Sequence, residues 1–302
     1  MSSILQKFND YGKMVKFSHT LFALPFALLS FVLSFIDTTL TKNQLLINLF
    51  LILVCMVSAR NAAMGFNRLV DADIDAKNER TKLREIPSGV LSKKSVLGFT
   101  IFFSLIFVVA TYFINFKCFL LSFPTLVIVL GYSYTKRFTW LCHYILGFGI
   151  GIAPTGAWIS MKNEFDLIPV LWSFGLMFHI AGFDILYSTQ DTTFDKSSGL
   201  YSIPSRFGVS NALLIARISH IVAFLLLSLA GVEARLGIIY AVFLICVGIL
   251  FIVEHNLVNP KDLSKVPIAF FHINASISSI LLLGVVVDKW NEIYQTIGRV
   301  FI

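Results

Sequence analysis

Long apolar runs separated by short polar connections occupy almost the whole 302-residue chain. A helix needs roughly 20 apolar residues to cross a bilayer. Nine runs meet that length: 17–36, 44–66, 95–114, 117–135, 140–161, 167–187, 211–232, 235–254 and 268–288. None of the connections resembles a linker between soluble domains. The pattern therefore predicts an all-α integral membrane protein, nine helices in a single domain over 1–302. The first run contains Pro25, has no small-residue cleavage site and exceeds the apolar core of a signal peptide, so it reads as a span.

Two connections are longer and more polar than the rest. One runs from about Asn67 to Lys94, after the second span; the other runs from about Ser188 to Ser210, after the sixth. Both carry spaced aspartates. Their matching positions, four helices apart, suggest a duplicated four-helix unit.

Composition supports the membrane reading. The chain is 57% hydrophobic and only 14% charged, whereas soluble domains carry about a quarter charged residues. The net charge of +7 is accounted for by topology. Lys7, Lys13, Lys16, Arg68, Lys77, Arg80, Lys82, Arg84, Lys93, Lys94, Lys136, Arg137, Lys196, Arg206, Lys261 and Lys265 fall on one side of the predicted layout. Only Lys42, Lys117, Lys162, Arg235, Lys289 and Arg299 fall on the other. The positive-inside rule then places the N-terminus and both aspartate-bearing connections in the cytoplasm. Nine spans put the C-terminus outside, and the cell inner (cytoplasmic) membrane is the expected location. No basic face is interleaved with aromatics, so no nucleic-acid partner is expected. Cys55, Cys118, Cys142 and Cys246 are scattered without metal-ligand spacing.

The candidate chemistry lies in the two polar connections. If the second span stays helical to Asp75, then Asn67, Asp71 and Asp75 share one face at i, i+4 and i+8, and Asp73 points away. Like charges at that spacing repel, and a divalent cation relieves the repulsion. Oxygen donors favour Mg²⁺ or Ca²⁺ over zinc. In the second connection Asp184, Tyr187, Asp191 and Asp195 also fall on one helical face. Asp184 lies within an apolar run, where a carboxylate is expensive and points to function. Mg²⁺ commonly takes one or two carboxylates plus phosphate oxygens. Two such sets suit two ions bridged by a diphosphate, with Arg80, Arg84, Lys136, Arg137, Lys196 and Arg206 to neutralise the remaining charge. Arg60, seven residues before Asn67, is placed deeper on the same face. It either lines a polar cavity or serves as partner to Asp184 or to backbone carbonyls. Lys16 and His19 sit at the mouth of the first span. His143, His179, His220, His255 and His272 read as satisfied structural groups. Asn274 and Ser276 either face a cavity or bond between helices.

These motifs resemble the UbiA superfamily of intramembrane prenyltransferases. The first family motif is matched at Asn67, Asp71, Asp75, Arg80, Thr81, Arg84, Pro87, Ser88 and Gly89. The second is matched at Asp184, Tyr187, Asp191, Asp195, Gly199 and Ser202. Tyr134, Thr135, Lys136 and Arg137 are similar to the family's basic loop after the fourth span, and Arg60 matches a family arginine. The resemblance implies a helical bundle around a central cavity and Mg²⁺ held by Asn67, Asp71, Asp75, Asp191 and Asp195. It also implies transfer of a polyprenyl group from polyprenyl diphosphate to an aromatic acid such as 4-hydroxybenzoate, in ubiquinone or menaquinone synthesis. Arg60 and Tyr187 are then candidate catalytic groups. Asn67, Arg68, Arg80, Arg84, Lys136, Arg137, Asp184, Lys196 and Ser202 are candidate substrate-binding groups. Arg68 departs from many 4-hydroxybenzoate enzymes, which carry Asp there. The segments 16–27 and 270–274 look like a branch that prenylates a futalosine-derived menaquinone precursor. The rival from another class is a membrane transporter, with Arg60 and Asp184 forming an intramembrane ion site.

Overall fold

In lipid a backbone N–H or C=O has no water to bond, so an apolar run must satisfy its own polar groups, and a helix does so within one segment. The computed structural model describes residues 3–15, 22–260 and 262–301, and among them there is no β-strand. The helices are α1 (Ser3–Val15), α2 (Leu24–Phe35), α3 (Lys42–Asp75), α4 (Lys93–Ile114), α5 (Phe116–Thr135), α6 (Cys142–Lys162) and α7 (Leu167–Ser188). They continue as α8 (Thr192–Ser197), α9 (Ile203–Phe207), α10 (Val209–Glu233), α11 (Ile238–Leu257), α12 (Val266–Ile268), α13 (Asn274–Asp288) and α14 (Trp290–Phe301). Eight helical segments among the described residues are long and apolar enough to cross a membrane. Their outer faces carry large exposed apolar side chains such as Phe102, Phe113, Val127 and Ile238, which suit acyl chains and not water. The protein is a multi-pass membrane protein.

The described residues give eight such segments where the sequence predicts nine. The first expected span appears as α2, only 12 residues long, which begins at Leu24 with Pro25 in its first turn. At 1.5 Å per residue it covers about 18 Å, short of a hydrocarbon core of about 30 Å. Lys16 and His19, and the start of that expected span, lie outside the described residues.

The chain forms two compact units. Residues Met1–Thr20 and Leu53–Tyr134 make the first. Its core joins Met14 and Val15 of α1 to Ala72 of α3, Ile86 and Leu91 of the following loop, and Val96 of α4. Tyr11 stacks on Phe99 at 4.8 Å between ring centroids. Residues Leu21–Ile52 and Thr135–Ile302 make the second. There α7 is enclosed: Trp172, Leu176 and Ile180 are fully buried against Phe26 and Leu29 of α2, Leu227 of α10 and Ile277 of α13.

Small residues set how closely α6 approaches α7. A Cβ at Gly147 would overlap the Met177 carbonyl oxygen, and one at Gly151 would crowd that of Ser173. Glycine at both positions lets the two backbones touch. The same stripe of α6 carries Thr155, whose Oγ1 lies 2.7 Å from Ser173 Oγ, and His143 one turn before Gly147.

Helix α7 ends at Ser188 and does not continue as regular α-helix to Asp195. A 3₁₀ turn, Thr189–Asp191, follows, and then α8. The cause is a run of polar side chains bonding back to the backbone. Ser188 Oγ donates to Ile185 O at 2.8 Å, Thr189 Oγ1 to Leu186 O at 2.6 Å, and Thr192 Oγ1 to Thr189 O at 2.7 Å. Such back-bonding bends a helix.

Candidate active site

The first aspartate set sits where expected. Helix α3 remains helical to Asp75, so Asn67, Asp71 and Asp75 share its face. Asp71 and Asp75 are 2% and 4% exposed. Asn67 Nδ2 donates to Asp71 Oδ2 at 3.0 Å, which leaves the amide oxygen as its acceptor. Arg84 Nη1 lies 2.8 Å from both Asp75 carboxylate oxygens. The 76–92 loop is held close to them: Thr81 Oγ1 donates to Asp75 O at 3.2 Å, and Asn78 Oδ1 accepts from Arg80 N at 2.9 Å. Gly89 turns it with φ +77, a conformation costly for any other residue. Asp73 is solvent-facing and pairs with Lys93 at 2.8 Å, so it points away from the set as the spacing predicts.

Arg68 is 4% exposed, and its Nε has no hydrogen-bond partner among the described residues. Arg60 Nη2 donates to Val15 O at 3.3 Å, binding α3 to the end of α1. That acceptor is a backbone carbonyl, one of the partners the sequence allowed for Arg60.

The second set is built from a helix end and a looped segment. His143 Nδ1 lies 2.7 Å from Asp184 Oδ2. Asp191 closes the 3₁₀ turn, and Asp195 belongs to α8. Ser202 Oγ donates to Asp195 Oδ2 at 2.8 Å and accepts from Ser205 N at 3.2 Å, forming a capping box on α9. Tyr201 N donates to Lys136 O at 2.7 Å, so Lys136 anchors this loop through its backbone. Arg137 is half-buried and Lys196 is exposed. Tyr187 is half-buried and packs against the apolar cluster that includes Leu186, Ile203, Ala212 and Val266.

A further polar group lies in the second unit, formed by residues far apart in sequence. Asn274 Nδ2 donates to Glu254 Oε1 at 2.8 Å, and His220 Nδ1 lies 3.0 Å from His255 Nε2. His220 Nε2 lies 3.2 Å from His179 O. The bonding role expected for Asn274 is thus realised between α11 and α13, whereas Glu254 carries no sequence signal beyond being a lone carboxylate in an apolar run.

The buried carboxylates Asp71 and Asp75 thus lie at the end of a long apolar helix, beside a loop rich in Lys and Arg. A family model for the UbiA prenyltransferase family matches residues 19–276, and the chain belongs to that family. It is therefore a prenyltransferase, and the transporter reading falls away. The chain is 26% identical over 235 residues to a 4-hydroxybenzoate octaprenyltransferase of Saccharophagus degradans, covering 78% of each. It is 28% identical over 257 residues to a polyprenyl transferase of Arthrobotrys oligospora, covering 83% of this chain and 69% of that one. The apo structure of a UbiA homologue from Aeropyrum pernix K1 is 29% identical, with a TM-score of 0.79 over 89% of this chain and 98% of that one. A UbiA homologue from Archaeoglobus fulgidus bound to GPP and Mg²⁺ shares the fold at 19% identity and a TM-score of 0.71, over 94% and 99% of the two chains.

Proposed function

We propose that the chain, acting as one domain over 1–302, transfers a polyprenyl group from polyprenyl diphosphate to an aromatic quinone precursor such as 4-hydroxybenzoate, in a Mg²⁺-dependent reaction. The observation that carries this reading is the pair of oxygen-donor sets. Asn67, Asp71 and Asp75 form one, Asp191 and Asp195 the other. Carboxylates and an amide oxygen suit a hard divalent cation, and the burial of Asp71 and Asp75 makes neutralisation of their charge favourable. Each set offers two carboxylates, the number Mg²⁺ commonly takes beside phosphate oxygens and water; among the described residues neither set brings three acidic, histidine or cysteine side chains together. The name of the Saccharophagus relative and the Mg²⁺ and GPP in the Archaeoglobus structure support the same assignment.

In this reading Asn67, Asp71, Asp75, Asp191 and Asp195 would hold Mg²⁺, which would supply charge neutralisation for the departing diphosphate. The protein side of the chemistry follows from the residues. Asn67 orients Asp71, and Arg84 holds Asp75. Ser202 holds Asp195, and Asp184 acts through His143. Arg68, Arg80, Lys136, Arg137 and Lys196 supply positive charge for the phosphate oxygens. Departure of the diphosphate leaves an allylic cation, which Tyr187 stabilises with its ring or serves by orienting an aspartate. Arg60 positions the acceptor or the diphosphate. The acceptor ring attacks the cation and then loses a proton. An inner-membrane location, with the N-terminus and both loops cytoplasmic and the C-terminus outside, follows from the distribution of Lys and Arg.

The test is incorporation of radiolabelled farnesyl diphosphate into 4-hydroxybenzoate by purified protein in lipid, with Mg²⁺ and with EDTA. Mg²⁺-dependent product supports the reading. Incorporation into a naphthoate-type acceptor but not 4-hydroxybenzoate assigns the enzyme to the futalosine-type branch, as Arg68 and the 270–274 segment suggest. No Mg²⁺-dependent transfer to either acceptor overturns it.

A further inference from the structure

Helix α9 is five residues long, and its first-turn donors can be accounted for one by one. Pro204 has no N–H. Ser205 N donates to Ser202 Oγ, and Arg206 N donates to Ser202 O at 3.0 Å. The remaining donor, Ile203 N, lies 3.2 Å from His143 Nε2. Ile203 is fully buried, so water does not replace that acceptor. A backbone N–H only donates, so Nε2 is the unprotonated nitrogen and the ring proton sits on Nδ1. That proton points at Asp184 Oδ2, 2.7 Å away. One imidazole, 3% exposed, therefore joins the end of α7 to the start of α9. From there Ser202 Oγ carries the chain of bonds to Asp195 Oδ2.

Gly147 and Gly151 make this reach possible, because they seat α6 directly on the α7 backbone one and two turns beyond His143. We propose that His143 is a positioning residue, which links Asp184 to the Ile203 backbone and so fixes the segment that presents Asp195. The inference rests on the reading of Asp195 as a metal-binding group. Removing His143 leaves a buried N–H and the Asp184 carboxylate unpaired, and loosens the serine that aims Asp195. Groups that orient a metal's ligands typically contribute about tenfold to a hundredfold in metal affinity.

The experiment measures Mn²⁺ binding by electron paramagnetic resonance, on the full chain in detergent with unreactive farnesyl thiodiphosphate, alongside the apparent Tm. His143→Leu is expected to weaken Mn²⁺ binding by about tenfold or more. His143→Gln, whose amide carries one donor and one acceptor side by side, is expected to restore most of it. Ser202→Ala cuts the same chain one bond nearer Asp195 and serves if His143→Leu does not fold; it is expected to weaken binding likewise. Asn274→Leu, in the other buried polar group, controls for general destabilisation: its Tm is expected to fall with Mn²⁺ affinity unchanged. Unchanged affinity in both His143→Leu and Ser202→Ala, with Asp195→Ala impaired, overturns the positioning role alone. Unchanged affinity in Asp195→Ala removes the metal role of Asp195, and the inference with it.

Discussion

Replacing Arg84 with methionine removes the guanidinium from a carboxylate that stays covered. The Asp75 side chain is 5% exposed and that of Arg84 is 22% exposed, with Nη1 2.8 Å from both carboxylate oxygens. Unit charges 4 Å apart attract by roughly 4 kcal/mol at an effective dielectric of about 20. Removing one member of a buried pair costs about 3–5 kcal/mol, because the other charge is left uncompensated. Partial exposure of Arg84 lets water recover some of this, so a loss of about 3 kcal/mol is expected. That corresponds to an apparent Tm lower by on the order of 5–10 °C. The assay is thermal unfolding in detergent without divalent ions, for Arg84→Met, Asp75→Asn and the double variant. The double variant is expected to recover at least about 1.5 kcal/mol relative to the sum of the single changes. If Asp75 also binds Mg²⁺, then Mg²⁺ with pyrophosphate stabilises Arg84→Met more than the unaltered protein. A coupling below about 0.5 kcal/mol refutes the pairing. Equal stabilisation by Mg²⁺ in both proteins refutes the metal role of Asp75.

Gly147→Leu places a side chain where the Met177 carbonyl lies and is expected to prevent α6 from seating on α7; loss of the folded monomer on size exclusion checks this. Gly156→Ala, on the same helix with open space around it, is expected to leave the Tm unchanged or raise stability by about 0.5–1 kcal/mol through helix propensity. Asn274→Leu leaves the fully buried Glu254 without its amide donor and is expected to cost about 1–3 kcal/mol. Adding Glu254→Leu to that variant is expected to recover most of the loss, read from the same melting curves. No recovery would show that Asn274 is held by packing and not by Glu254.

Much of this fold was legible because lipid makes hydrophobicity a strong signal. The ends of the later spans agree with the helices to within a few residues, and α3 carries Asn67, Asp71 and Asp75 on one face as their spacing predicts. Hydropathy served less well wherever polar side chains acted locally. The hydroxyls of Ser188, Thr189 and Thr192 bond back to the backbone where α7 gives way to a 3₁₀ turn, so Asp191 and Asp195 follow α7 through a change of helix type that hydropathy does not signal. Pro25 sits in the first turn of a 12-residue α2, and an apolar run cannot distinguish that from a full span. The amphipathic helices α1 and α14 escaped a search for spans because half of each is polar. The candidate site was readable as a set of residue types, and its hydrogen bonds were not. Nothing in the spacing of Asp75 and Arg84, or of His143, Asp184 and Ile203, specifies their hydrogen bonds. Those depend on how a loop folds back and on how closely two glycines let α6 approach α7.

The central claim is that the two carboxylate sets are the metal- and diphosphate-binding groups of a prenyltransferase. The most direct measurement is Mg²⁺-dependent prenyl transfer from farnesyl diphosphate by purified Asp71→Ala and Asp191→Ala proteins in lipid, with their folding confirmed by monodisperse elution and circular dichroism. Both variants are predicted to remain folded and to fall to the background seen with EDTA. Near-normal turnover in either one, at ordinary Mg²⁺, contradicts the account.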